Sequence, residues 1–313
     1  MKTVILDAMI AREDIYIETN YNFGQRIDSL SINDLLPERG LLLTMLRKPD
    51  FQRETNQWTP EQVVSFLESF LDGLFIPSVI FWRGSSYVFV IDGGHRLSVL
   101  RAWINDDYGD GIISLPYFSN NISTAQRKIA EKTRNLVNQK IGKYEHLKSL
   151  LNNPPIDSVN QLRRSKNLVL RSITLQWVEG DQDTAESSFF KINTKGTALD
   201  GTEEMLLKNR KRSVAIAARS IVRAGTGHSY WSKFDNKNKQ LIEKIAKHLH
   251  SVLFKPEIDT QIRTMDLPLA GNKSPIDALK IIINLICVIL APMESTKSKI
   301  DAFPIDETGD DTI

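Results

Sequence analysis

The sequence predicts an α/β (α+β) protein: a core over about residues 25–200 built on a small mixed sheet, with a helical C-terminal region packed on it. Three observations carry this. Two β-rich runs, residues 78–82 and 87–91, are separated by Arg83-Gly84-Ser85-Ser86, a hairpin signal. The second run is almost wholly apolar and ends in a glycine turn followed by a helical stretch. Residues 202–291 are mostly helical in pattern. The expected division is 1–200 and 201–313.

The elements follow in order. Residues 30–58 read as a loop-rich lead-in. Thr59 then offers an N-cap, Pro60 the first helical position and Gln62 a capping-box partner, ahead of Val63, Phe66, Leu67, Phe70, Leu71 and Leu74 at helical spacing. The hairpin comes next, with Val88, Val90 and Ile91 expected in the core, and LSVLRAWIND as a helix. One helix is expected over residues 122–150, capped by Ser123 with Gln126. Residues 167–179 read as a strand with Ile173, Leu175 and Trp177 on one face. A short helix is expected from about Thr184, with Asp183 and Glu186 in box spacing. KINTKGTALDGTEE reads as a loop, Thr202 caps the helix after it, and Ser274-Pro275 opens the last helix. Residues 306–313 are polar and acidic and read as a frayed tail.

Composition narrows the function. At 313 residues, 41% hydrophobic and 25% charged, the chain has the make-up of a globular protein with a sizeable core. Its single cysteine, Cys287, excludes an intramolecular disulfide and a cysteine zinc cluster, and suits a reducing cytoplasm. No signal peptide is visible. The longest apolar run, residues 281–291, is broken by Asn284 and falls short of the 18–20 residues or so that cross a bilayer, so no membrane partner is expected. Net charge is +2, but residues 121–255 hold 25 Lys and Arg against 12 Asp and Glu, while the remainder holds 15 against 26. A basic middle fits an anionic partner or simply solvated helix faces. Its densest clusters, Arg163, Arg164 and Lys166, then Lys208, Arg210, Lys211 and Arg212, are the candidate DNA contacts.

The chemistry concentrates in Asp92-Gly93-Gly94-His95-Arg96. Glycines between a strand and a helix let backbone N–H groups approach a ligand, and a helix N-terminus attracts anions. Arg96 can grip phosphate with its planar fork. Asp92 can orient Arg96, hold a metal or position water; the plain alternative is a tight turn with a surface ion pair. Gln52 and Arg53 before Trp58, and Asn193, Thr194 and Lys195, offer further donors. Gly196 and Gly201 have P-loop spacing, but Thr202 stands where the lysine belongs, so no P-loop is present.

FQRETNQW, IPSVIFW, VIDGGHRLSVLRAW and FFKINTKGTALDGTEE, in this order, resemble the DGQQR-motif family, which includes the N-terminal domain of GmrSD-type restriction enzymes and has a ParB/sulfiredoxin-like fold. The resemblance covers about residues 28–210 and departs at the centre, where Gly94 and His95 replace two glutamines. The missing cysteine excludes sulfiredoxin chemistry. The resemblance implies a nucleotide-binding domain that hydrolyses ATP or another nucleoside triphosphate with Mg²⁺. Asp92, His95 and Arg96 would be catalytic, with Asp92 on the metal. Gly93, Gly94, Gln52, Arg53, Asn193, Thr194 and Lys195 would bind nucleotide. The C-terminal third carries no His-Asn-His nuclease cluster, which favours an ATPase subunit beside a DNA base-modifying partner, such as one inserting 7-deazapurines. A DNA-binding sensor without turnover and a ParB-like nuclease remain the alternatives.

Overall fold

The computed structural model describes residues 2–13, 26–36, 41–49, 58–84, 86–118, 120–152, 158–195, 201–222, 224–225, 231, 234–254, 275–290 and 300–312. The chain divides into two compact units, Met1–Gly196 and Thr197–Ile313.

The first unit is built on six strands: β1 (Arg12–Glu13), β2 (Ser29–Ser31), β3 (Leu46–Pro49), β4 (Val79–Arg83), β5 (Val88–Asp92) and β6 (Ser172–Val178). They lie in the order β1-β3-β5-β4-β6-β2. β5 runs parallel to β3 and antiparallel to β4, β4 runs parallel to β6, and β2 closes one edge antiparallel to β6. The fold is therefore α+β on a mixed sheet. β5 is buried at Val88, Phe89, Val90 and Ile91, as a central strand with both faces covered must be. β6 instead alternates, burying Ile173 and Leu175 and exposing the residues between.

The helices of this unit are α1 (Leu41–Met45), α2 (Pro60–Leu71), α3 (Gly94–Ile104), α4 (Ser114–Tyr117), α5 (Thr124–Lys140), α6 (Tyr144–Ser149), α7 (Val159–Leu170) and α8 (Gln182–Lys195). α2 starts where its capping box predicts: Thr59 Oγ1 accepts from Gln62 N–H at 3.3 Å and Gln62 Oε1 accepts from Thr59 N–H at 2.9 Å. Leu67, Phe70, Phe81, Val90, Leu97 and Trp103 join the helices to the sheet in one core.

Four expectations are corrected here. The lead-in contains two strands, β2 and β3, too short to announce themselves by alternation. The helix expected over 122–150 breaks into α5 and α6 at Gly142, whose φ of +98° ends the first. The strand expected from residue 167 starts only at Ser172, because α7 runs to Leu170. α8 is capped not from Asp183 but by Asp181, whose Oδ1 accepts from Thr184 N–H at 2.9 Å and Thr184 Oγ1 at 2.6 Å.

The second unit holds α9 (Gly201–Lys208), α10 (Ser213–Val222), α11 (Asn236–Phe254) and α12 (Pro275–Leu290). α10 packs on α11 and α12 through Val214, Ala218, Ala246, Ile282 and Ile283. α12 holds the longest apolar run of the sequence, and among the described residues no helix is long and apolar enough to cross a membrane. The expected frayed tail is instead docked. Asp306 is buried; its Oδ1 accepts from Thr308 and Gly309 N–H at 3.1 and 2.6 Å, and its Oδ2 from Thr312 Oγ1 at 2.5 Å. Asn238 of α11 donates to Thr308 O at 3.0 Å and Asp310 Oδ1 at 2.8 Å. The acidic residues that suggest a solvated tail are the acceptors that fix it.

Candidate functional site

β5 ends at Asp92, and Gly93 turns the chain into α3 with φ +93°. A Cβ there would lie 2.7 Å from Val79 Cγ2 and 3.0 Å from Arg96 Nη2, so both the conformation and the space require glycine. The first bond of α3 that returns into the turn is Leu97 N–H to Gly93 O at 3.1 Å. The N–H groups of the preceding turn therefore point out of the helix end, which is the geometry of an anion site.

Arg96 lies one turn into α3, folded back on the strand. Its Nη2 donates to Asp92 Oδ2 at 2.6 Å and to the Ser78 carbonyl at 3.3 Å. The Arg96 side chain is 13% exposed and that of Asp92 39%. The pair is thus asymmetric: the guanidinium is largely enclosed while the carboxylate reaches solvent. Arg96 Nε is buried with no hydrogen-bond partner among the described residues. A buried donor without an acceptor is costly, and a ligand oxygen would relieve it.

His95, next to Arg96, stacks on Trp58 with ring centroids 5.7 Å apart and planes 14° from parallel. Trp58 in turn meets Phe66 edge-on at 5.7 Å. The residue that leads into α2 is thereby held against the glycine turn. Gln52 and Arg53, just before it in sequence, lie outside the described residues.

Asn193, Thr194 and Lys195 end α8 rather than forming a loop, a correction to the sequence expectation; the glycines that suggested one, Gly196 and Gly201, lie beyond this helix end. α8 packs against β5 and β6, so these three belong to an element that touches the strand carrying Asp92.

Sequence reasoning missed Lys48. It sits on β3 and is only 1% exposed, with Nζ 3.6 Å from Asp7 Oδ1. Burial pushes its ammonium down to about 8, against the pull of Asp7, with Arg12 and Arg101 adding repulsion. In the sequence, its strand precedes Gln52 and Arg53 by a few positions. Nothing in the sequence marks it, because a lysine between a strand and a loop is ordinarily a surface residue.

The basic clusters are less uniform than their sequence suggests. Arg164 is clamped on Asp72 by Nε at 2.8 Å and Nη2 at 2.7 Å, and Arg163 joins it at 3.1 Å. Lys166 is exposed. Lys208 pairs with Glu204 at 2.6 Å. Arg210 is buried, and Arg212 donates to Asn209 Oδ1 at 2.8 Å and to the Phe303 carbonyl at 2.5 Å. Of the three neighbouring cations expected to touch phosphate, Arg210 is thus buried, Arg212 is bonded to Asn209 and Phe303, and Lys211 faces solvent.

Among the described residues no three His, Cys, Asp or Glu side chains gather as a metal site. A half-exposed Asp92 still suits Mg²⁺, which takes one or two carboxylates and completes its shell with phosphate oxygens and water.

Residues 32–210, more than half of the chain, match the family described as GmrSD restriction endonuclease, N-terminal domain. No curated protein and no solved structure matches the chain. The matched span contains the Asp92–Arg96 turn, Trp58 and the end of α8. The chain belongs to the GmrSD N-terminal domain family of restriction-system proteins.

Proposed function

We propose that this chain is the nucleotide-hydrolysing subunit of a DNA restriction or modification system, cleaving ATP or another nucleoside triphosphate with Mg²⁺ in the cytoplasm beside a DNA base-modifying partner. The Arg96–Asp92 pair at the start of α3 carries the reading. Phosphoryl transfer asks a protein mainly to position groups and stabilise charge. The outward N–H groups of the first turn would receive phosphate oxygens, and Arg96 sets a positive charge beside them. Arg96 also takes up Asp92 Oδ2, which leaves the other oxygen for Mg²⁺. Bound there, Mg²⁺ would neutralise phosphate charge. His95, locked against Trp58, fixes the wall of the turn where the family has glutamine.

Phosphate release from purified protein, with and without Mg²⁺ and DNA, tests this. Release that requires Mg²⁺ and is lost in Asp92→Asn supports it. No release under any condition leaves the sensor reading in its place.

A further inference from the structure

Residues 72–78 join α2 to β4, and they are anchored from below. Arg164 holds Asp72, Arg171 Nη2 donates to the Leu74 carbonyl, and Asn167 Nδ2 donates to the Leu71 carbonyl at 2.7 Å. A loop so fixed has no need to expose apolar side chains. Yet Phe75 is 87% exposed and Leu74 57%. α7, which supplies those anchors, shows the same mixture. Val159, Arg163, Lys166 and Leu170 fall at i, i+4, i+7 and i+11, a single helical stripe, and all four are exposed. The stripe therefore reads apolar, cation, cation, apolar, and its Leu170 end adjoins Arg171, which grips the loop. Arg163 and Arg164 both bond Asp72, Arg164 also lies in the field of Glu68, and Arg171 reaches the Leu74 carbonyl, so three arginines flank the loop.

We propose that Phe75 is a base-stacking contact for DNA, with Arg163 and Lys166 holding the flanking phosphates. The inference rests on the DNA contact of the proposed function and gives it a place. An exposed aromatic ring on a rigid loop accepts any base face, while cations beside it supply the sequence-independent attraction to the strand. The arginines that flank the loop favour a nucleic acid over an apolar protein surface, which would leave those cations desolvated. The far end of the same loop is Ser78, whose carbonyl receives Arg96, so the loop that carries the contact is tied to the Asp92 turn.

The test is binding of labelled DNA, as a single strand and as a duplex, by the full chain and by Phe75→Ala, Phe75→Trp and Arg163→Ala/Lys166→Ala. Phe75 leaves the core untouched when truncated, and the tryptophan variant controls for any local disturbance. Phe75→Ala should weaken binding roughly five- to hundredfold without changing its salt dependence, and Phe75→Trp should restore it. A stronger effect on the single strand identifies an unpaired base as the ligand; an equal effect identifies a wedge in the duplex. The double cation variant should flatten the salt dependence. Full affinity in Phe75→Ala overturns the proposal, and would mean that the patch serves a protein. Absence of DNA binding by the wild-type chain at low salt overturns it together with the DNA part of the proposed function, whereas hydrolysis is judged separately by phosphate release.

Discussion

Arg96 concentrates the consequences of this fold at a single residue. It closes the glycine turn through Asp92, ties that turn to β4 through Ser78, and brings the one enclosed positive charge of the turn. Under the proposed function, Arg96→Ala should lower turnover by about 10² or more, the loss typical of removing one charge-stabilising donor. Phosphate-release rates at saturating nucleotide check this, and unchanged turnover would refute the assignment. Lys48 makes a different demand. Its folded value of about 8 lies below the ordinary 10.5, so keeping it charged in the interior costs stability below pH 8. Between those values the unfolded chain binds the proton and the folded chain does not, so stability must rise with pH across that window. The full difference is on the order of 3 kcal/mol. Lys48→Met removes this dependence while leaving every other titration in place. The melting temperature of the wild type should therefore rise relative to that of the variant between pH 8 and 10.5; a constant difference would show that Lys48 does not titrate there. The Asp92–Arg96 motif was legible in the sequence because glycine, charge and a strand end coincide. Lys48 was not, since only the fold surrounds it.

At the scale of elements, one carboxylate organises the connection from α3 to α4. Asp107 Oδ1 accepts from Gly109 N–H at 3.0 Å, Gly111 N–H at 2.9 Å and Ser114 Oγ at 2.6 Å, and Oδ2 from the N–H groups of Ile113 and Ser114 at 2.9 Å each. Burial alone would raise its carboxyl, but these donors, Ser114 first, hold it below the ordinary range. Its contribution is thus present above the ordinary aspartate range and disappears as pH falls through the lowered value. Asp107→Asn turns an acceptor into a donor facing N–H groups and should cost on the order of 3 kcal/mol, read from denaturant unfolding at neutral pH. Nothing in the sequence singles out Asp107 from its neighbours Asp106 and Asp110, because hydrogen bonds from a backbone leave no periodicity. The elements it disclosed well, α2 and the β4–β5 hairpin, carry their own capping and turn chemistry. β2 and β3 lack both, and exist through pairing with β6 and β5, partners distant in sequence.

Across the whole molecule, the positive charge of residues 121–255 survives folding only in part as an accessible surface. Arg210 is buried and Arg212 is bonded within its unit, whereas Lys166 and Lys211 stand in solvent. If DNA is bound through phosphates, Lys166→Ala should lower the slope of log affinity against log salt by about one, and Lys211→Ala likewise where that lysine touches the strand. Arg210→Ala should leave the slope alone and lower the melting temperature instead. Salt titrations of the three variants distinguish these outcomes, and an equal slope change in Arg210→Ala would contradict its buried placement.

The docked segment 306–312 also makes the second unit divisible. Its anchors, Asn238, Lys211 and the Phe234 ring against Gly309, belong to other parts of the chain, and its own bonds arise locally around Asp306. A synthetic peptide spanning residues 300–313 should therefore bind in trans to a chain truncated before Ile300 and return its melting temperature toward that of the intact protein. The same peptide with Asp306→Ala, which removes the acceptor that shapes the turn, should not. Such a split pair would report assembly of the helical unit without any knowledge of its ligands.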